Sequence, residues 1–237
     1  MVEVSESSPA AKGLVVVGDG MVGKTALLFS YSTSNFNDLY QPTVFEAITK
    51  DVYVPSLKRC MSLSLWDTGG QEEFEQIRVL MYPHAEVVVI CYAIDNKTSL
   101  DNVVQTWVPE IEAHCPNVPY ILVGCKSDCR CSHNSSSQDL ISPLEAIEVA
   151  HKTRAAMHIE CSSKTRANVD VIFEMAAELI LSKSNLPKSV DRKTSFLRSI
   201  ISKKQTENDR LSIRNPPNKT KHDQKRFSLC CASSRRR

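Results

Sequence analysis

The chain has 237 residues, 42% of them hydrophobic, and a net charge of only +2. That is enough for one sizeable core plus a tail, without the overall basic excess expected of a nucleic-acid binder. No apolar run reaches the roughly 18 residues that a bilayer-spanning helix needs, and nine irregularly spaced cysteines argue against a disulfide framework and for a reducing compartment.

The charge is unevenly placed. Residues 1–181 carry 13 Lys+Arg against 23 Asp+Glu, whereas residues 182–237 carry 16 against 4. An acidic body with a basic tail suggests that the tail is what meets an anionic partner. The start, Met-Val-Glu-Val-Ser-Glu, is acidic and matches neither a secretory nor a myristoylation signal. Residues 1–11 read as a disordered N-terminus.

Lys12–Val17 reads as a strand without alternation, so both faces are expected to be buried, as in a parallel sheet. It runs into Gly18-Asp-Gly20-Met21-Val22-Gly23-Lys24-Thr25 and then a helix to about Ser32. Strand, glycine loop and helix form the setting in which G-x-x-x-x-G-K-[ST] is a phosphate loop. The glycines let successive N–H groups turn inward, and the helix N-terminus adds partial positive charge. Lys24 can reach outer phosphates, and the Thr25 hydroxyl can ligate Mg²⁺. Of the seven glycines, Gly18, Gly20 and Gly23 lie here, Gly69 and Gly70 in a second motif, and Gly124 before a third; Gly13 alone stands apart.

Ser32–Phe45 reads as a long polar loop in which Thr43 can offer a hydroxyl to Mg²⁺ and Phe36 can lie against a base. Ala47–Val54 and Cys60–Leu65 alternate about Pro55–Arg59 and predict a β-hairpin. The stretch Trp66-Asp67-Thr-Gly69-Gly70-Gln71 follows. Asp67 is placed as a second metal-side anchor, and Gln71 to orient a water. Glu72–Tyr82 is weakly helical. Glu86–Ala93 reads as a buried strand, Ser99–His114 as an amphipathic helix with Trp107 on its core face, and Tyr120–Gly124 as a fifth strand.

After it comes Cys125-Lys126-Ser127-Asp128. The Asp128 carboxylate can accept from the ring N–H and the amine of guanine, a donor pair that adenine lacks. Cys129–Leu140 reads as a Ser-rich loop; its Cys129, Cys131 and His133 lack the second ligand pair of a zinc site. Ser142 and Pro143 open a helix to about Thr153. Met157–Cys161 is the last strand, Ser162-Ser163-Lys164 can contact the base, and Val169–Leu181 closes the domain. The fold class is α/β: a doubly wound, mostly parallel six-stranded sheet with one antiparallel hairpin strand, helices on both faces and the ligand at the carboxyl ends of the strands.

The segments GDGMVGKT, QPTVFE at 41–46, WDTGGQEEF at 66–74, HCPNVPYILVGCKSD at 114–128 and ECSSK at 160–164 resemble the Rho family of small GTPases. The resemblance covers roughly 12–182 and leaves 183–237 as a basic, mostly disordered tail. It implies a GTP/GDP switch with Mg²⁺ ligated by Thr25 and Thr43 and backed, through water, by Asp67. Gly18, Gly20, Met21, Val22, Gly23, Lys24, Thr25 and Ala26 would hold the phosphates, with Tyr40, Thr43 and Gly70 closing on them. Phe36, Lys126, Asp128, Ser162, Ser163 and Lys164 would surround the guanine. Gln71, Lys24, Thr43 and Gly70 form the implied catalytic set. Segments 34–46 and 69–82 would be switches I and II, which meet exchange factors, GAPs and effectors. The family also implies signalling to the actin cytoskeleton.

No Arg or Lys lies between Thr25 and Thr43, so no arginine finger is supplied in cis. The expected unassisted rate is on the order of 10⁻⁴ to 10⁻³ per second. The sequence departs from the family in four places within the domain. Gly69 stands where Ala is usual, and Cys125 replaces Asn or Thr. The 129–140 loop is short, and Ala47-Ile48 replaces a polar-aromatic pair. A poorly hydrolysing, constitutively GTP-bound scaffold is the alternative. In the tail, three arginines follow Cys231-Ala-Ser-Ser, so no terminal prenylation box is expected. Acylation of Cys230 and Cys231 beside basic charge could still anchor the chain to the inner face of the plasma membrane or to endomembranes.

Overall fold

The structure is a computed structural model and describes residues 11–36, 45–70, 75–131 and 140–184. Six strands form one sheet in the order β2-β3-β1-β4-β5-β6. They are β1 Lys12–Gly18, β2 Phe45–Val54, β3 Arg59–Thr68, β4 Ala85–Ala93, β5 Tyr120–Cys125 and β6 Met157–Glu160. Only β2 runs antiparallel, paired with β3; the remaining pairs are parallel. Lys58, at a φ of 49°, sits in the turn that joins β2 to β3.

The unalternating runs behave as their composition requires. Leu14–Val17 and Val87–Tyr92 are fully buried, which demands cover on both faces of the sheet. Alternate residues supply the two layers. Val15, Val17, Val88, Ile90 and Tyr92 pack in one cluster with Leu100, Trp107, Ile111, Ala146 and Ala150. Those come from α3 (Lys97–Asn102), α4 (Val108–His114), α5 (Pro143–Lys152) and the turn between α3 and α4. On the other side α1 (Lys24–Thr33) packs against α6 (Val169–Ser184), with Tyr31 stacked on Phe173 at 3.7 Å. The short α2 (Glu75–Met81) leads through a 3₁₀ turn at Tyr82–His84 into β4. The doubly wound architecture expected from sequence is present.

Two elements differ from expectation. The single helix expected over 99–114 starts at Lys97, where the Asn96 side chain accepts from the Ser99 N–H, and a π-type turn over Val103–Trp107 splits it. Such wide turns hold one extra residue and cluster at functional places. The loop expected from Cys129 opens instead as a 3₁₀ turn, Ser127–Cys131. Arg130 pins it, forking onto Glu160 at 2.7 and 2.6 Å and reaching the Ile141 carbonyl at 2.8 Å. Residues 1–10, 132–139 and 185–237 lie outside the described residues. The expected N-terminal disorder, His133, Cys230, Cys231 and the tail fall there.

Candidate functional site

The parallel strands all end at one edge of the sheet, and β1 stands where the connections diverge to opposite faces, the usual place for a ligand crevice. The glycine loop starts there. Gly18 has a φ of 137°, and a Cβ on it would lie 2.2 Å from the Cys91 carbonyl, so no other residue fits. Met21 at 64° and Gly23 at 112° also take left-handed angles, curling the loop over the start of α1. That helix has no side-chain cap and no acidic residue in its first turn. Its first N–H groups and its dipole therefore stand ready for an anion.

Lys24 is buried beneath the loop, 6% exposed, and its Nζ donates to the carbonyls of Gly18 and Asp19, each at 2.7 Å. Burial lowers its pKa, while the nearby Cys91 and Asp67 act in the opposite sense. An ammonium held on carbonyls and short of solvent is primed to gain from an anionic ligand. Asp67, 2% exposed, stands at the end of β3 opposite Val16. Thr68 Oγ1 ties the same strand to the Val16 carbonyl at 2.7 Å. Thr25, on the first turn of α1, is exposed. Gly70 lies against the loop so closely that an added Cβ would meet Gly18 O at 2.3 Å and Lys24 Nζ at 2.6 Å. Lys24, Gly70 and the loop are thus brought together.

A second group assembles at the ends of β5 and β6. The Asp128 carboxylate accepts from Ser162 Oγ at 2.6 Å, and Ser162 in turn accepts from the Thr165 N–H at 3.1 Å. Ser127 N–H donates to the Cys161 carbonyl at 2.9 Å, joining the two segments. Lys126 takes a φ of 65° and reaches Asp95 at 3.2 Å. The Ser163 carbonyl accepts from Ser30 Oγ at 3.1 Å, which links this group to α1. Lys164 is exposed, and Phe36 is 38% exposed just beyond α1. Tyr40, Thr43 and Gln71, expected to complete the site, lie outside the described residues.

Cys125 is fully enclosed. A Cβ on Gly23 would sit 3.8 Å from its sulfur, so the thiol fills the space under the start of α1. Hydrogen bonding with Cys125, together with burial, pushes the Cys91 and Cys161 thiols well up.

A group of residues behind the loop carries no local signal in the sequence. Asp19 accepts from Asn102 Nδ2 and Trp107 Nε1, both at 2.7 Å. Trp107 is buried as expected, but its N–H holds the glycine loop. Its ring lies 5.0 Å from the Arg78 guanidinium. Arg78 donates to both carboxylate oxygens of Glu110, at 3.1 and 3.2 Å, and to the Gly69 carbonyl at 2.8 Å. Among the described residues no set of three metal-ligating side chains forms a cluster, and no helix is long and apolar enough to cross a membrane.

Residues 13–182 match the model of the Ras family. Among curated proteins, the chain is similar to the GTP-binding protein RHO4 of Saccharomyces cerevisiae, 44% identical over 171 residues. The match takes in 72% of this chain and 58% of that relative's length.

Proposed function

The chain belongs to the Ras family of small GTPases, as a Rho-like member, and on that premise we propose that it is a guanine-nucleotide switch that hydrolyses GTP to GDP and phosphate. One observation carries the proposal. At one edge of the sheet, the buried Lys24 under the glycine loop shares its surroundings with Gly70, and the Asp128–Ser162 pair stands at the ends of the next strands. The first group suits phosphates and the second a purine edge.

In this reading the N–H groups of 20–25 and Lys24 hold the phosphates, and Asp128 accepts from the guanine ring, with Lys126, Ser162 and Lys164 around the base. Ser162 Oγ fixes the carboxylate by donating to one oxygen, and the lone pairs that remain on both oxygens can accept from the base. The hydroxyls of Thr25 and Thr43 and the buried carboxylate of Asp67 are hard oxygen donors, the set that suits Mg²⁺. When bound, Mg²⁺ would neutralise charge on the phosphate oxygens. Gln71 orients the attacking water, and Gly70 N–H faces the terminal phosphate. Because catalysis is then positioning and electrostatics, unassisted turnover is slow and a GAP supplies the missing arginine.

Residues 12–182 form the nucleotide-binding unit. Switches I and II engage exchange factors, GAPs and effectors, with the actin cytoskeleton as the downstream target that the resemblance implies. The basic tail 183–237, with Cys230 and Cys231, associates peripherally with an anionic membrane surface.

The test is Asp128→Asn with guanine and xanthine nucleotides. Ser162 Oγ can still donate to the new amide oxygen, so the fold is kept. GDP affinity should fall by about 10²-fold or more, with xanthosine diphosphate gaining, because a site built to accept a donor pair rejects the wrong hydrogen-bond pattern strongly. An unchanged base preference would refute the assignment of Asp128 and revive an ATP-dependent reading.

A further inference from the structure

Arg78, on α2, is only 3% exposed. Its pairing with Glu110 is a buried ion pair, and such pairs add little net stability over well-packed apolar residues. The geometry offers another use for it. Arg78 Nη1 donates to the carbonyl of Gly69 at 2.8 Å. That carbonyl and the Gly70 N–H are the two ends of one planar peptide unit, so holding the first directs the second. Glycine lies on both sides of this peptide, and no Cβ restricts its rotation.

The guanidinium is itself anchored. Glu110 accepts from it twice and also from Tyr82 OH at 2.6 Å. Trp107 lies against it and ties back to Asp19 of the glycine loop. The contacts close a circuit from Asp19 through Trp107 and Arg78 to the Gly69–Gly70 peptide, which itself abuts Gly18 and Asp19.

We propose that Arg78 is a positioning residue that locks the Gly69–Gly70 peptide so that Gly70 N–H faces the terminal phosphate of GTP. It supplies the restraint that Gly69 forgoes by having no side chain, and it couples α2 to the glycine loop. The proposal deepens the switch reading and rests on it.

The test compares the wild-type chain with Arg78→Lys. Lysine keeps a charge near Glu110 but cannot fork onto Glu110 and reach Gly69 together. Affinities for GDP and GTPγS are measured with Mg²⁺. The GTPγS-to-GDP affinity ratio should fall about tenfold or more, the loss of one charge-assisted hydrogen bond's worth of orientation, while GDP affinity stays within about twofold. The seven glycines also give a short ¹⁵N-glycine spectrum. The Gly70 amide resonance should move in the GTPγS form, with Gly13 and Gly124 unmoved.

Equal loss for both nucleotides, an unchanged ratio, or an unmoved Gly70 resonance overturns the proposal. If Arg78→Lys does not fold, Glu110→Gln keeps the size of that side chain but removes the charge and one of the two acceptors that anchor the guanidinium. It should still lower the ratio at least threefold, and an unchanged ratio there overturns the proposal equally. A wild-type chain that binds neither nucleotide sinks the switch reading itself. Tight wild-type binding of both with an insensitive ratio sinks only the role of Arg78.

Discussion

Gly70→Ala tests how tightly the second motif is held against the glycine loop. The added Cβ would stand 2.3 Å from Gly18 O and 2.6 Å from both the Asp19 carbonyl carbon and Lys24 Nζ, against 3.4 Å for an ordinary contact. Something must move by about 1 Å. The loop side is the firmer one, since Lys24 bonds both carbonyls and Trp107 and Asn102 hold Asp19. The Gly69–Gly70 peptide, held on its own side among the described residues by the single bond from Arg78, therefore yields. Overpacking costs roughly 1–3 kcal/mol where nothing can relax, so the relaxed cost should sit at the low end, about 1 kcal/mol. That is a fall in Tm of roughly 2–4 °C for a domain of this size. The functional cost is larger, because a 1 Å misplacement of a positioning group costs about 10²-fold in rate. Single-turnover GTP hydrolysis should fall about 10²-fold, with GDP affinity within severalfold and a nearly unchanged melt. Hydrolysis within twofold of the wild type would mean that the Gly70 N–H is not what is positioned there.

Two further outcomes concern the strands behind the site. Gly124→Ala would put a Cβ 2.6 Å from Tyr92 OH and 3.2 Å from Glu160 Cγ. Tyr92 is fully buried, so urea unfolding should show a loss of about 1–3 kcal/mol at constant m-value, and a loss under about 0.5 kcal/mol would contradict the packing. His158, 2.9 Å from Tyr92 OH, has its pKa lowered by burial, with Glu160 opposing and Arg130 reinforcing. A base with a depressed folded pKa contributes stability in full above its unfolded value near 6.5 and loses it as pH falls from there toward the folded value. Stability should thus drop below about pH 6.5, by at most about 1.4 kcal/mol per pH unit, and His158→Gln should flatten that window. An identical slope in the variant would rule His158 out as the source.

Much of the fold was legible because its signals are local. The unbroken apolar runs of β1, β4 and β5 can only be two-sided parallel strands, and the β2–β3 alternation with its turn can only be a hairpin. Scarce glycine marked the loop at 18–23 and the approach at Gly70, and the carboxyl ends of β3 and β5 placed Asp67 and Asp128 at one edge. The Arg78 circuit was not legible, because it joins residues 19, 69, 78, 107 and 110, which no local period connects. Arg78 sits in a segment of mixed pattern for the same reason: a buried guanidinium satisfied by three other elements looks, in sequence, like a solvated one. Trp107 shows the limit of periodicity. Its spacing correctly placed the ring in the core but could not show that its N–H reaches Asp19. The π-type turn beside it also hid, since a single added residue in a helix leaves the apolar spacing almost unchanged. Cys125 reads in sequence only as a replacement of Asn or Thr; its packing beneath Gly23 among buried thiols needs the fold to be seen.

The central claim is a nucleotide switch, and the most direct test is single-turnover GTP hydrolysis by the full chain with Mg²⁺, with and without a Rho-type GAP domain. Bound GDP and released phosphate are followed together, so that exchange is not mistaken for turnover. A cycling switch should show a basal rate on the order of 10⁻⁴ to 10⁻³ per second that rises by several orders of magnitude with GAP. Tight GTP binding with a negligible rate that GAP leaves unchanged would contradict it and make the protein a GTP-loaded scaffold.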